Sequence, residues 1–171
     1  MNSIATGALA ALIMVAGTSS ADETGWLLES SIDKATYQPV ATMSQSSLAS
    51  ISDEYGAKEV HPRLEFYCEP NGDTTIRARI DWQRFISSFN TEVTFDTADG
   101  DSLTLKLGVD KSNKITSTRN ADDVSALIGA LHSSDSLTIH VTPYSEAPVS
   151  VDLQTSGFLK ALEQLQANCN P

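Results

Sequence analysis

The sequence predicts an α+β, β-rich domain: an antiparallel sheet or sandwich that carries two short amphipathic helices and contains one disulfide. Three observations predict this class. Several segments alternate apolar and polar residues at period two, two segments repeat apolar residues at helical spacing, and the two cysteines are Cys68 and Cys169. Period-two alternation is typical of half-buried strands, and i, i+3, i+4 spacing is typical of helices. Because no long parallel crossover pattern appears, we expect antiparallel pairing with the helices packed on the sheet.

The N-terminal residues 1–21 are predicted to be a signal peptide. The apolar run from Ile4 to Ala16 is too short to cross a bilayer, which needs about 20 apolar residues. Small residues follow, with Ser19 and Ala21 in the −3 and −1 positions that a signal peptidase prefers. No Lys or Arg precedes the run, so a buried helix is the alternative. We expect a single exported domain over residues 22–171, periplasmic or secreted, with no membrane insertion after signal removal.

The charge of the chain limits its partners. Lys and Arg number 11 against 22 Asp and Glu, which gives a net charge of −11. Nucleic acid is an improbable partner because phosphate binding requires a basic surface. Anionic membrane surfaces are disfavoured for the same reason. The acidity is interpreted as a source of solubility rather than as an acidic docking face.

The cysteine pair predicts a disulfide. In an oxidising compartment an even number of cysteines is usually bridged. Cys68 ends an alternating segment and Cys169 ends an amphipathic one, so both side chains can point into one core. Two buried free thiols are the alternative. Catalytic or metal-binding roles are disfavoured because the sequence has no Cys-x-x-Cys and no His close to either cysteine.

The first half of the chain is predicted to form strands. Residues 63–68 and 74–82 alternate, and Pro70-Asn71-Gly72-Asp73 between them is a hairpin turn signal. A further alternating segment ends at Asp99-Gly100, a second turn signal, and residues 103–109 continue as the next strand. The pattern before residue 60 is weak. It allows a strand near residues 37–43 and then a Ser-rich loop or frayed element over residues 44–59.

The second half is predicted to contain a helix, a hairpin and a second helix. The first helix begins near residue 120, with Asn120 or Asp122 as N-cap and its apolar positions at helical spacing. Two strands follow over residues 137–141 and 149–153. The second helix starts at about Ser156 and carries a single apolar stripe. We therefore expect the order strands, helix, hairpin, helix.

The sequence contains no arrangement of residues that predicts a catalytic or metal site, or a cofactor. His61, His132 and His140 lack the spacing of metal ligands. The aspartates around Gly100 are explained by a hairpin turn, because the ligand spacing of a calcium loop is missing. Neither a Gly-x-Ser-x-Gly elbow nor a Gly-rich phosphate loop occurs.

The two tryptophans are candidate anchors. Trp82 continues the apolar face of its strand, so core packing is expected. Trp26 allows two interpretations: it packs the N-terminal segment against the domain, or it contacts a partner. Core packing is the favoured interpretation for Trp26 as well.

Residues 137–169 resemble the C-terminal part of the VasI-like family, proteins associated with bacterial type VI secretion. The resemblance is most specific at Thr142-Pro143-Tyr144-Ser145-Glu146-Ala147-Pro148, which follows a strand, and it extends to a Ser-Gly-aromatic helix start and a terminal Cys. The chain departs from the family in lacking an Arg before Asp96 and a Trp near residues 107–117. The resemblance implies an exported accessory protein and supplies no catalytic residues.

These observations predict a non-enzymatic periplasmic accessory or adaptor that acts through protein contacts. Its partners would be proteins of the bacterial envelope, with secretion-apparatus components as candidates. Tyr144 and Glu146 lie in a loop bounded by prolines, and rigid aromatic loops bind at low entropic cost. A purely structural hairpin connection explains the same loop equally well. The alternative function is a small-ligand-binding or inhibitor-type module that uses one face of the sheet.

Overall fold

The computed structural model describes residues 25–33, 37–69 and 74–169. Within these ranges it confirms the predicted class, a β-rich α+β fold with antiparallel strands, two helices and one disulfide. The predicted signal peptide at 1–21 and the predicted turn at 70–73 lie outside the described residues. No helix in the described ranges has both the length and the apolar content that are required to cross a membrane.

The strands and helices follow the chain in an order close to the predicted one. The strands are β1 (Leu27–Ile32), β2 (Pro39–Ser46), β3 (Ile51–Ser52), β4 (Glu59–Val60), β5 (Arg63–Cys68), β6 (Arg77–Asp81), β7 (Thr91–Thr97), β8 (Ser102–Val109), β9 (Ile115–Thr118), β10 (Ser136–Val141) and β11 (Val149–Gln154). The helices are α1 (Ala121–Ser133) and α2 (Phe158–Cys169). Asn120 is the N-cap of α1, because its side chain accepts a hydrogen bond from the N–H of Asp122. Asn120 was one of the two predicted N-caps.

Nine of the described strands form one antiparallel sheet in the order β1-β2-β5-β6-β9-β8-β7-β10-β11, and β3 and β4 form a separate short hairpin. Strand β8 joins the two halves of the sheet: its first six residues pair with β7, whereas Gly108 and Val109 pair with β9. The sheet also curls, since the N–H of Leu48, just beyond β2, donates to the carbonyl of Asp152 in β11 at 2.9 Å.

One face of the sheet and both helices share a single core. Alternate residues of the strands point into it, as the period-two pattern predicts. Helix α2 contacts β1 and β2, and α1 contacts β6, β7, β8 and β10. The largest fully buried side chains include Trp82, Phe66, Phe95 and Phe158. The core placement predicted for Trp82 is therefore confirmed.

The disulfide joins Cys68 at the end of β5 to Cys169 at the end of α2. Both cysteines are fully buried, so the bridge lies inside the core and not on the surface. It ties the C-terminal helix to β5, an interior strand of the sheet, across 101 residues of sequence. The predicted pairing is confirmed.

The prediction of a loop or frayed element over residues 44–59 is wrong in part. Residues 44–46 belong to β2, and β3 and β4 form a hairpin around the turn at 53–58. This segment is ordered by polar contacts that have no periodicity in sequence. The hydroxyls of Ser50 and Ser52 both donate to the carboxylate of Glu59, and the carboxylate of Asp53 accepts the N–H groups of Tyr55 and Ala57.

Candidate functional site

One end of the molecule is built from loops that lie side by side. Four neighbouring strands, β2, β5, β6 and β9, reach this end of the sheet at residues that face one another in turn: Ser46, Arg63, Asp81 and Ile115. The loops that continue from these residues therefore lie at the same end of the sheet. The loop before β7 and the loop after β10 lie there as well. We call this surface the loop end, which comprises residues 47–62, 82–90, 110–114 and 142–148.

Backbone hydrogen bonds join the loops of the loop end. The N–H of Tyr144 donates to the carbonyl of Ile86 at 2.8 Å. The N–H of Ile86 in turn donates to the carbonyl of Asn113 at 2.8 Å, and that of Trp82 to Lys114 at 3.0 Å. Because these bonds connect three separate loops, each loop is held by the others rather than by its own strands alone.

A partly buried ion pair holds the loop that carries Tyr144. The side chain of Arg84 is only 6% exposed and its Nη2 contacts the carboxylate of Glu146, which is 36% exposed. Its Nη1 donates to the carbonyl of Ser52 at 2.8 Å, so one guanidinium connects three loops. Glu146, which is predicted from the sequence to contact a partner, has Arg84 as an internal partner in the structure. This pair helps to hold the loop that carries Tyr144.

The carboxylate of Glu54 makes a second set of bonds across the loop end. It accepts the N–H of Phe85 at 3.1 Å and the Nζ of Lys114 at 3.1 Å. Its own backbone N–H, the N–H of Phe85 and the charge of Lys114 hold the pKa of Glu54 below its ordinary value of 4.5, although partial burial opposes this effect. The ionised carboxylate is thus the form that the folded loops stabilise.

We expect the stability of the loop end to fall in acid because of Glu54. A carboxyl whose pKa is lower in the folded than in the unfolded state contributes stability that is fully present above the unfolded value, near 4.5, and is lost as pH falls through the folded value. Urea unfolding at a series of pH values below 6 should show a smaller acid loss in Glu54→Gln than in the unsubstituted protein. Equal acid losses in the two proteins would contradict this role.

The loop end exposes three aromatic side chains. Tyr55 is 83% exposed, Phe89 is 70% exposed and Tyr144 is 65% exposed. Tyr55 lies in the loop 47–62, Phe89 in the loop 82–90 and Tyr144 in the loop 142–148, and hydrogen bonds join these three loops. Aromatic side chains contribute large contact areas at low entropic cost, and they are enriched at the centres of protein interfaces. The arrangement therefore combines loops that are bonded to one another with three solvent-facing aromatic side chains.

The turn at residues 143–146 presents Tyr144. The N–H of Glu146 donates to the carbonyl of Pro143 at 3.2 Å, and Ser145 adopts a φ of 61°. A positive φ at the third residue of such a turn normally favours glycine. Tyr144 occupies the second position, and the bond from its N–H to Ile86 fixes the turn against the neighbouring loop.

Trp26 is placed in the core. Its side chain is 6% exposed, and its ring centroid lies 5.2 Å from that of Phe158 and 6.4 Å from that of Phe66. This is the packing role that the sequence favoured, and the ring presents little surface to a partner. Its indole Nε1 has no hydrogen-bond partner among the described residues.

Three side chains on the solvent-facing side of the sheet form a Ser-His-Asp chain of hydrogen bonds. The Nδ1 of His140 lies 2.7 Å from the hydroxyl of Ser150, and its Nε2 lies 2.9 Å from Oδ2 of Asp96. These are the residue types of a hydrolytic triad. A nucleophilic serine also needs oxyanion donors and an enclosed substrate site. Because this face is open to solvent, we interpret the contacts as links between β7, β10 and β11.

His140 lies on the solvent-facing side of its strand, and the sequence pattern does not indicate both of its neighbours. The register that sets Ser150 opposite His140 follows from the β10–β11 hairpin, which was predicted. Asp96 comes from β7, whose pairing with β10 skips over α1 and is not signalled by local pattern. The sequence therefore indicates the contact between His140 and Ser150, but not the contact between His140 and Asp96.

A cleft of about 360 Å³ lies between the end of α1 and the start of α2. Its polar lining includes His132, Ser134, Asp135, Ser156 and Lys160. A cleft of this size falls within the range of small-molecule sites. Within the described ranges, no three His, Cys, Asp or Glu side chains are grouped so that they could hold a metal ion.

Comparison with known proteins gives one structural similarity. No family model matches the chain, and no curated protein matches it. The crystal structure of invasion associated protein B from Bartonella henselae is similar over 84% of this chain and 93% of that chain, with 17% sequence identity and a TM-score of 0.48.

Proposed function

We propose that this chain is an exported, non-enzymatic accessory or adaptor protein that binds another protein through the loop end. The observation that supports the proposal is the set of three exposed aromatic side chains, Tyr55, Phe89 and Tyr144, on loops that bond to one another. The partner is a protein of the bacterial envelope with a largely apolar contact surface. The proposal requires no chemical step at the loop end, where Arg84 pairs with Glu146 and Lys114 pairs with Glu54.

The rigidity of the loop end is the second support. Arg84 and Glu146 fix the loop of Tyr144, and Glu54, which accepts the N–H of Phe85, fixes the loop that carries Phe89. Binding through preorganised loops avoids the entropy cost of ordering them, which would otherwise reduce affinity. The disulfide supports export, because such bridges persist in oxidising compartments.

The finer proposal is that the partner belongs to a type VI secretion apparatus. It rests on the resemblance of residues 142–148 to the VasI-like family, and these residues are the loop that presents Tyr144. Recovery of apparatus components with the protein would support this version. Recovery of an unrelated envelope protein would keep the adaptor proposal and remove the link to secretion.

The triple substitution Tyr55→Ala, Phe89→Ala, Tyr144→Ala should abolish partner recovery from the native host without unfolding the protein. Interface aromatics often contribute about 2 kcal/mol or more each, so the combined loss should exceed a hundredfold in affinity. Exposed positions contribute little to folding, so thermal unfolding should change little.

Tyr37→Ala is the matched control. Tyr37 is an aromatic residue with 79% exposure, and it lies just before β2, at the strand end opposite Ser46 and the loop end. Partner recovery should be unchanged in this variant. If the triple variant recovered the same proteins as Tyr37→Ala, the loop end would not be the contact surface.

The cleft between α1 and α2 supports a second candidate function, a small-ligand-binding module. Its lining combines a cationic side chain, hydroxyls and the apolar Leu131 and Phe158, a mixture that suits a small polar molecule. If the protein is a small-ligand-binding module, the triple variant should still perform its function in the host. Ser156→Trp, which would fill the cleft, should abolish that function.

A further inference from the structure

Among the described residues, strand β1 is an edge of the sheet that no other strand covers. Among the described strands it pairs with β2 alone. Natural edge strands are normally guarded by lysine, proline, a bulge or a covering loop, since an open edge is a template for another strand. The sequence of β1, Leu-Leu-Glu-Ser-Ser-Ile, contains neither lysine nor proline, and Glu29 is its one charged residue. The opposite edge, β11, is partly covered, because Leu48 bonds to Asp152.

The pairing of β1 with β2 fixes which backbone groups of β1 point outward. Ile32 faces Pro39, which has no N–H, so this pair is not hydrogen-bonded, and the N–H of the next residue, Asp33, donates to Gln38. Hydrogen-bonded and non-hydrogen-bonded pairs alternate along an antiparallel ladder. The N–H and C=O groups of Leu28, Ser30 and Ile32 therefore point away from β2 toward the open edge.

We propose that the open edge of β1 binds β1 of a second copy of this chain, forming a twofold-symmetric dimer with one continuous sheet. In this arrangement a twofold axis normal to the sheet passes midway between Ser30 and Ser30 of the partner subunit. Ser30 then faces Ser30 of the partner subunit, and Leu28 faces Ile32 of the partner subunit on each side. Each of these three facing pairs uses the outward backbone groups that β2 leaves available.

The charged and apolar side chains of β1 favour the register in which Ser30 faces Ser30 over the register in which Glu29 faces Glu29. With the axis at Ser30, Glu29 faces Ser31 of the partner subunit, and the apolar Leu28 and Ile32 cover each other. Moving the axis by one residue would place Glu29 directly opposite the partner's Glu29, and like charges at facing positions are destabilising. Ile32 is exposed in the single chain, so the dimer also removes apolar surface from water.

The proposal predicts that three substitutions change the dimer in different ways. Ser30→Pro removes an outward N–H at the axis but no bond to β2, so it should raise the dissociation constant about tenfold or more while the monomer stays folded. Ser31→Lys places a cation opposite the partner's Glu29 and should lower the constant severalfold. Ser30→Lys places two lysines at the axis and should abolish self-association.

Analytical ultracentrifugation of the purified protein at micromolar to millimolar concentrations tests the proposal. A concentration-dependent dimer is expected, together with the three shifts. A mixture of Ser30→Lys and Ser30→Glu proteins should form a heterodimer, because residue 30 faces itself across the axis. A protein that stays monomeric throughout would overturn the proposal, and so would a dimer whose dissociation constant is unchanged in Ser30→Pro.

Discussion

Replacing both cysteines, Cys68→Ala with Cys169→Ala, is expected to lower the free energy of unfolding by about 3–5 kcal/mol. The bridge closes a loop of about 100 residues, for which the chain-entropy model gives close to 4.7 kcal/mol, and replacing two buried thiols adds a small packing loss. Urea unfolding at neutral pH measures the change. Helix α2 should open first, because its last residue is no longer held to β5.

Reduction of the unsubstituted protein separates the two contributions. The reduced protein keeps both sulfur atoms in the core, so its loss of stability reports the bridge alone. We expect the reduced protein to retain slightly more stability than the double alanine variant. A loss below about 1 kcal/mol in both cases would contradict a stabilising role for the cross-link.

Glu146→Ala is expected to lower the free energy of unfolding by about 3 kcal/mol, more than Arg84→Met does. Arg84 is buried, so removing Glu146 leaves a desolvated cation whose remaining bond in the described structure goes to the carbonyl of Ser52. Removing Arg84 leaves Glu146, which is partly exposed and can be hydrated. The cost of breaking this partly buried pair depends on which partner stays behind.

A double-mutant cycle tests this asymmetry. Adding Arg84→Met to Glu146→Ala should recover part of the lost stability, since it removes the unpaired buried cation. Glu146→Gln keeps a hydrogen-bond acceptor and should lose less than Glu146→Ala. Additive losses in the cycle would mean that the two side chains do not act as a pair. Because Glu146 carries this structural role, Tyr144 is the better position for tests of binding.

The sequence was sufficient for the elements whose buried faces are apolar. Helix α1, the hairpin of β10 and β11, and helix α2 follow the predicted order, because each places apolar residues at the period of its own structure. The disulfide was also predictable, since two cysteines at the ends of core-facing segments have few alternatives in an oxidising compartment.

Strands β1 and β9 were not predicted, for different physical reasons. Strand β1 is an exposed edge, so most of its side chains face water and show no alternation. Strand β9 is central but buries Thr116 and Thr118, so its inward face is polar. The hydroxyl of Thr116 accepts the Nε1–H of Trp82 at 3.0 Å, a partner 34 residues away that no local pattern indicates.

Only part of the candidate site was predictable from the sequence. Tyr144 stood out because prolines bound its loop, and the structure places it on the surface. Tyr55 and Phe89 lie in segments without regular pattern, and the bonds that join their loops to the loop of Tyr144 depend on long-range pairing. Arg84 binds Glu146 across 62 residues of sequence, which no spacing rule detects. Loops that meet at one end of a sheet become neighbours only through the strand order.

Site-specific photo-crosslinking in the native host tests the central claim most directly. A photoreactive amino acid would replace Tyr55, Phe89 or Tyr144 in turn, with Tyr37 as the equally exposed position away from the loop end. Adducts with one and the same envelope protein from all three loop-end positions, and none with it from Tyr37, are the predicted result. Adducts with that protein from Tyr37 alone, or equally from all four positions, would contradict binding through the loop end.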